Sequence, residues 1–394
     1  MARYLLFIAL ICSIPFGAAH ASSSPAAGQC ASLSAVLNRN VDAAPALASC
    51  LAKNPAGTPL RLSPGTYHLL SPLTINKPVT IETAASSKAV CSKATGTNCA
   101  VLMLGMMPAG QPNAMPVAVT AANVNIQSLA IIGDPARSGR WASGMCLNKA
   151  VRPLGGGIRV TGDNFRMANV LLKGVNCYSA LEIVAGVKSP VITGNVIGPN
   201  GTHDVRGMWS DGVTIHDTTG AIVEDNLFRD NTDVQLIFGG CRNCSIKRNS
   251  FRHSAAFSGA SFAELMIQAW PGTSGDYAGS EASGNDIDCG AGRRCGYGLM
   301  IGGAPWYPVK TSGGSVVHNR VANAQMGLNV DQLTGPMLID DNRVASSGGA
   351  AKSDCGTKTW PATNISPQSR RFIQTSAVGY ASIETKGCLL NRQQ

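Results

Sequence analysis

Charge and aromatic side chains are scarce in this chain: of 394 residues, 14% are charged and 5% aromatic. Long solvated helices and coiled coils need dense charge patterns and heptads, which are missing, so both are excluded. No run of Lys or Arg occurs either, although 32 basic residues outnumber 22 acidic ones for a formal net charge of +10. Scattered positive charge speaks against nucleic acid as a partner and suits steering toward an acidic polymer or an anionic surface. Beyond the N-terminus no stretch of about 18 residues is uniformly apolar, so no membrane span is expected.

What is present begins with an export signal. Arg3 gives a positive start, Tyr4–Ala18 is apolar, and Ala19–Ala21 forms a small-residue cleavage site, so residues 1–21 read as a signal peptide of a secreted or periplasmic protein. Thirteen cysteines become twelve once Cys12 leaves with that signal, and an even number in an exported chain predicts disulfides. The simplest pairing closes each loop locally: Cys30–Cys50, Cys91–Cys99, Cys146–Cys177, Cys241–Cys244, Cys289–Cys295 and Cys355–Cys388. Zinc is the rival for the CxxC at Cys241 and Cys244, but no second CxxC or paired-histidine motif accompanies it.

Gly numbers 44, and Asn–X–apolar phrases return along the chain, starting at Asn169, Asn195, Asn226, Asn249, Asn285, Asn319 and Asn342. Their spacing has a base near 23 residues with insertions, the pattern of a solenoid whose loops grow outward. An earlier degenerate copy spans Val124–Ile132, with Ser128 in the asparagine place. Asn tolerates a left-handed corner, and stacked amides can bond along the stack. The fold class is therefore all-β, a right-handed parallel β-helix with an N-terminal helical cap. Residues 22–59 form the cap, 60–345 the helix and 346–394 a disulfide-tied tail. Leu33, Val36, Leu37, Leu47 and Leu51 give the cap its apolar side.

The phrase Pro64–Tyr67 followed by Ile75–Ile81 resembles the opening of the pectate-lyase-like superfamily of right-handed β-helices, and the resemblance covers roughly residues 60–345. It implies a fold shared by lyases, hydrolases, epimerases and tailspikes. Trp209–Val213 and Asn231–Val234 look like the Asn-Thr-Asp-Gly and paired-aspartate segments of polygalacturonases. The likeness gives Asp211 and Asp233 carboxylate roles, while Thr232 replaces one aspartate. His253 falls near the family's Gly-His-Gly place without its glycines, and no Arg-Ile-Lys segment follows.

Read from the residues themselves, Asp211, Asp233 and Glu264 each precede an apolar strand, which predicts three carboxylates on adjacent coils about 5 Å apart. Carboxyls about 5–5.5 Å apart suit a nucleophile with an acid/base, and about 6.5–9.5 Å leaves room for a water. The expected function is a secreted carbohydrate-active enzyme, a glycoside hydrolase using stacked carboxylates. The alternatives are a lyase or epimerase acting on a uronic-acid polymer and a non-catalytic glycan-binding or surface-structural β-helix. Asp211, Asp233, Glu264, His216 and Arg206 are the candidate catalytic residues. Candidate substrate contacts are His203, Trp209, Gln235, Lys247, His253, Trp270, Trp306 and Tyr307, mostly in the insertions between repeats. Arg206, Lys247 and His216 are the bases a lyase would use. No cofactor or metal is expected, with Ca²⁺ entering only on the lyase reading. The expected partner is a polysaccharide bound by a monomer.

Overall fold

The computed structural model describes residues 40–84, 91, 98–105, 115–134, 156–176, 178–205, 207–303, 309–376, 379–385 and 387–391. The expected signal peptide, Leu33, Val36, Leu37, Cys30, Cys146, Cys177, Arg206, Trp306 and Tyr307 lie outside the described residues.

Most strands are short because each coil turns after a few residues. In Val191–Thr193, Ser245–Lys247 and Glu281–Ser283 a single central apolar side chain is buried between two half-exposed neighbours. Such a strand cannot bury its apolar residue alone, so the chain stacks coil upon coil. Three parallel sheets result among the described residues: sheet A with 11 strands beginning at Pro59–Leu62, sheet B with 10 beginning at Gly65–Leu69, and sheet C with 10 beginning at Leu73–Ile75. Every pairing within them is between successive coils, the connectivity of a parallel β-helix.

The core is a set of columns. On sheet C, Leu181, Val213, Leu236, Leu265, Leu299 and Leu328 follow one another in register and are fully buried. On sheet B, Phe228 and Phe251 pair directly and their rings stack at 5.0 Å and 7°. A helix, Ala44–Lys53, closes the N-terminal end by burying Ala44, Leu47 and Leu51 over the first coil. Asp42 fixes its start, accepting from Ala44 N at 3.0 Å and from Leu70 N at 2.9 Å. At the other end sheet C continues to Thr363–Ile365 and sheet A to Ile373–Gln374. The helix thus runs past the expected boundary at residue 345. A hairpin, Gly349–Ser353 with Gly356–Trp360, interrupts its last turn.

The asparagine repeats meet at one corner. Nδ2 of Asn195, Asn226, Asn249, Asn285 and Asn319 each donates to Oδ1 of the next, ending on Asn342, at 2.8–3.0 Å. Each Oδ1 also accepts the backbone N–H of the preceding ladder residue. The ladder thus satisfies the amides where the backbone leaves sheet A for sheet B. Left-handed φ belongs not to the ladder asparagine but to the residue before it, including Asp225 at 57° and Arg248 at 54°. This corrects the placing of Asn169: its own φ is 53°, and Val170 N donates to Asn195 Oδ1 in the ladder position. Ser128, at φ 52°, likewise sits in the left-handed place.

Disulfides close the pairs Cys91–Cys99, Cys241–Cys244, Cys289–Cys295 and Cys355–Cys388. Cys50 is also disulfide-bonded. The CxxC at 241 is thus a disulfide, not a zinc ligand pair.

Three outcomes are expected. Asn249→Ala strands the buried backbone N–H of Asn226, whose Nδ2 keeps the carbonyls of Ile192 and Glu224, and should cost about 2 kcal/mol in chemical denaturation, at about 1–3 kcal/mol per unsatisfied group. Asn342→Ala, at the half-exposed end of the ladder, should cost visibly less. Thiol titration of the exported, denatured and unreduced protein should give near zero.

Candidate active site

Sheet C carries the candidate site on its outer surface. Insertions flank it on both sides. At the corner leading into the sheet, a cleft of about 400 Å³ is lined by His203, Asp204, Arg229, Asp230, Thr232, Phe257 and Ser258, among others. His203 ties this corner together, its Nδ1 lying 2.5 Å from the Ser258 carbonyl and its Nε2 3.0 Å from that of Thr232. At the corner leaving the sheet, a second cleft of about 330 Å³ is lined by Lys188, Asp217, Arg242 and Ser274, among others.

Asp211 lies on Ser210–Ile215 and Asp233 immediately before Val234–Phe238. The register pairs Val213 with Leu236, which sets Asp211 opposite Val234 rather than Asp233. The two carboxylates are therefore offset by one residue across neighbouring coils. Among the described residues three donors converge on Asp211: Val234 N at 3.1 Å on Oδ1, and Thr214 Oγ1 at 2.8 Å and Ser179 Oγ at 3.3 Å on Oδ2. Such donors stabilise negative charge. Asp233 receives no side-chain hydrogen bond from the described residues. Burial, reinforced by the nearby Asp211 charge, pushes its carboxyl up to about 8, although its edge still reaches solvent. The pair thus combines one hydrogen-bonded carboxylate with one carboxyl that stays protonated at neutral pH.

A second cluster lies beside the pair on the same surface. His216 Nε2 is 2.8 Å from Glu182 Oε1, Arg159 Nε is 3.7 Å from Glu182 Oε2, and the Trp270 ring meets His216 edge-on at 5.3 Å. Arg159, Ser179, Glu182 and Thr214 escaped the sequence analysis. Register would have found them: Glu182 stands between Leu181 and Ile183 as Thr214 stands between Val213 and Ile215, one coil apart.

Glu264 does not join the row. Its carboxylate is 0% exposed and turned into the leading corner, where His253 Nε2 approaches Oε1 at 2.8 Å, Ser261 Oγ donates to Oε1 at 2.5 Å, and Gln235 Nε2 donates to Oε2 at 3.1 Å. His253 Nδ1 lies 3.3 Å from Asp230, and the ring is also 0% exposed. Ser261, His253 and Asp230 have the connectivity of a hydrolytic triad, but a sealed serine meets no polymer. The expectation of surface roles for Glu264, Gln235 and His253 is corrected accordingly: they brace the corner from inside. A short second amide ladder, Asn200 to Asn231 at 2.7 Å, continues that brace. Its signal was the 31-residue spacing it shares with Asn195 and Asn226. Lys247 is also corrected. It sits on sheet A, paired with Glu281 at 2.8 Å, on a different face of the solenoid. Trp209 is half-buried just ahead of Asp211.

Among the described residues, Glu264, Cys289 and Cys295 form a group compact enough to hold a metal. The two sulfurs are joined to each other, so the group offers no thiolate.

No family model matches the chain, and no curated protein matches it. Solved structures do match. The Dettilon tailspike protein aligns at TM-score 0.54 and 14% identity, over 86% of this chain and 66% of the tailspike. The alginate lyase of Paenibacillus sp. str. FPU-7 aligns at 0.51 and 13%, over 75% and 92% of the two chains. The Erwinia carotovora polygalacturonase aligns at 0.50 and 13%, over 78% and 92%. The chain has the right-handed parallel β-helix fold. At these identities the likeness speaks for the fold, and the site of this β-helix stands on its own residues.

The pH dependence of stability separates the two parts of the site. Burial opposes charge on His253, but Glu264 and Asp230 outweigh it and push the ring up to about 9. Its stabilisation is present in full below about pH 6.5 and lost as pH rises through about 9. Asp233 is also raised, so its contribution is present below about pH 4 and lost as pH rises through about 8. Chemical denaturation from pH 4 to 10 should show stability falling across both windows. Asp233→Asn should remove the lower part of that fall and His253→Gln the upper part.

Proposed function

We propose that this β-helix is a secreted, carbohydrate-active enzyme that hydrolyses a polysaccharide at Asp211 and Asp233. The observation that carries the reading is the unlike surroundings of the two carboxyls. Asp233, protonated at neutral pH, has the proton that a departing glycosidic oxygen needs. Asp211, held by three donors, has the negative charge that meets an oxocarbenium-like centre or activates water. Two carboxyls whose environments separate their proton affinities are the usual basis for dividing acid and base roles.

Further support comes from the surface around the pair. Trp270 and His216 offer a flat ring and a polar edge of the kind that receives a sugar, and Arg159 adds a cation. The net positive charge suits an acidic chain. Solved proteins with this fold include a polygalacturonase, an alginate lyase and an endo-xylogalacturonan hydrolase.

The test is a panel of acidic and neutral polysaccharides, read by reducing-end release and by the absorbance of unsaturated uronates. Reducing ends without new absorbance are expected. Absorbance growing with cleavage would replace hydrolysis by elimination, and binding without turnover would replace the enzyme by a glycan-binding protein. Asp211→Asn and Asp233→Asn should each lower kcat by about a hundredfold or more while folding is retained. Wild-type activity should fall as pH rises through about 8, where Asp233 loses its proton. Normally melting variants that retain full activity would remove the assignment.

A further inference from the structure

The outer surface of sheet C is not open along its whole length. The row that starts at Asp211 and Val234 continues in register through Ala263, Tyr297 and Met326. Asp211 is partly exposed, but Val234 is 4% exposed and Ala263, Tyr297 and Met326 are each 0% exposed. Their cover includes the C-terminal segment. Leu389 and Leu390 pack into one apolar cluster with Phe262, Ala263, Tyr297 and Trp360.

That segment is bonded to the floor at each step. Ile383 N donates to Asn364 Oδ1 at 2.9 Å, Thr385 Oγ1 to Asp331 Oδ2 at 2.7 Å, and Leu390 N to Tyr297 Oη at 3.3 Å. Asn364, Asp331 and Tyr297 lie on successive coils, so the segment travels along the axis toward the carboxylate pair. Cys355–Cys388 and the bond from Asp354 N to Leu389 O pin it to the terminal hairpin. The segment is therefore a fixed part of the surface.

The clefts and insertions stand at the two ends of the sheet C strands, so a bound chain would run across the strands, along the axis. On that path Tyr297 stands two coils beyond the coil of Asp233, about 10 Å at one strand spacing per coil. We propose that the C-terminal segment makes the groove blind on this side and restricts the enzyme to chain ends, with product leaving in units of about one or two sugars. The inference rests on the hydrolytic reading of the Asp211–Asp233 site and adds its mode of attack. The end of the polymer meets the C-terminal segment, which is anchored by the buried cluster of Leu390, Tyr297 and Phe262, and interior stretches of a long chain cannot lie across the pair.

The test uses the full-length, oxidised protein on whichever polymer of the panel it turns over. Product lengths and viscosity are followed from the first percent of reaction. Mono- and disaccharides from the outset, with viscosity falling slowly, are expected. Mixed mid-length oligomers with a rapid early loss of viscosity would overturn the blind groove while leaving the hydrolytic site standing. No turnover of any polymer would remove the hydrolytic reading itself, and this inference with it. Leu390→Arg, and separately the double variant Cys355→Ser/Cys388→Ser, should loosen the segment and lengthen the early products several-fold. Unchanged short products from a folded variant whose C-terminal segment has become protease-sensitive would also overturn the proposal.

Discussion

A coil that turns out of one sheet into the next leaves a backbone N–H at the corner with no strand partner, and in a stack of coils that corner is buried. A buried amide without an acceptor costs about as much as several favourable contacts return. The structure resolves this with the side chain of asparagine, whose carbonyl takes the orphaned N–H and whose NH₂ reaches the next asparagine in line. Everything else follows from the column this creates. Coil length, register of the three sheets and alignment of the apolar columns are all measured from it, and the outer surface of sheet C inherits its positions.

The same constraint explains why the site divides into a sealed part and an open part. At the corner leading into sheet C a charged network takes over the bracing, with His253 between Asp230 and Glu264 and with Gln235 bonded to Glu264 and Asn231. Burial and hydrogen bonding make that network rigid, and rigidity there fixes Thr232 and hence the backbone that carries Asp233. The open part borrows this precision. Asp211 and Asp233 keep their offset because one is bonded to the amide of Val234 and the other donates its own amide to Ser210.

The architecture was legible because its signal is periodic and chemical at once: asparagine at a base spacing near 23, framed by alternating apolar residues. The errors have physical causes. Asn169 looks like a ladder residue because a left-handed position and a ladder position both favour asparagine, and only the hydrogen bonds tell them apart. Glu264 precedes an apolar strand as the two aspartates do, but the side chain faces inward at the corner, which residue spacing alone does not reveal. Lys247 falls on another face because each coil has three faces, and proximity in sequence to Asp233 does not imply a shared face. Glu182 went unseen since its coil carries no aspartate at the strand start to draw the eye, while its partner His216 lies one coil on.

Three of the described disulfides have a mechanical consequence, while Cys355–Cys388 ties the C-terminal segment to the terminal hairpin. Cys91–Cys99, Cys241–Cys244 and Cys289–Cys295 join residues 8, 3 and 6 positions apart in sequence, each within a single turn of the solenoid. They stiffen individual rungs and bolt no rung to the next. Tension along the axis is borne instead by backbone hydrogen bonds, amide columns and stacked apolar side chains, loaded in parallel at every interface. Under such a pull the rod should part between rungs, with the covalent links intact on both sides of the break.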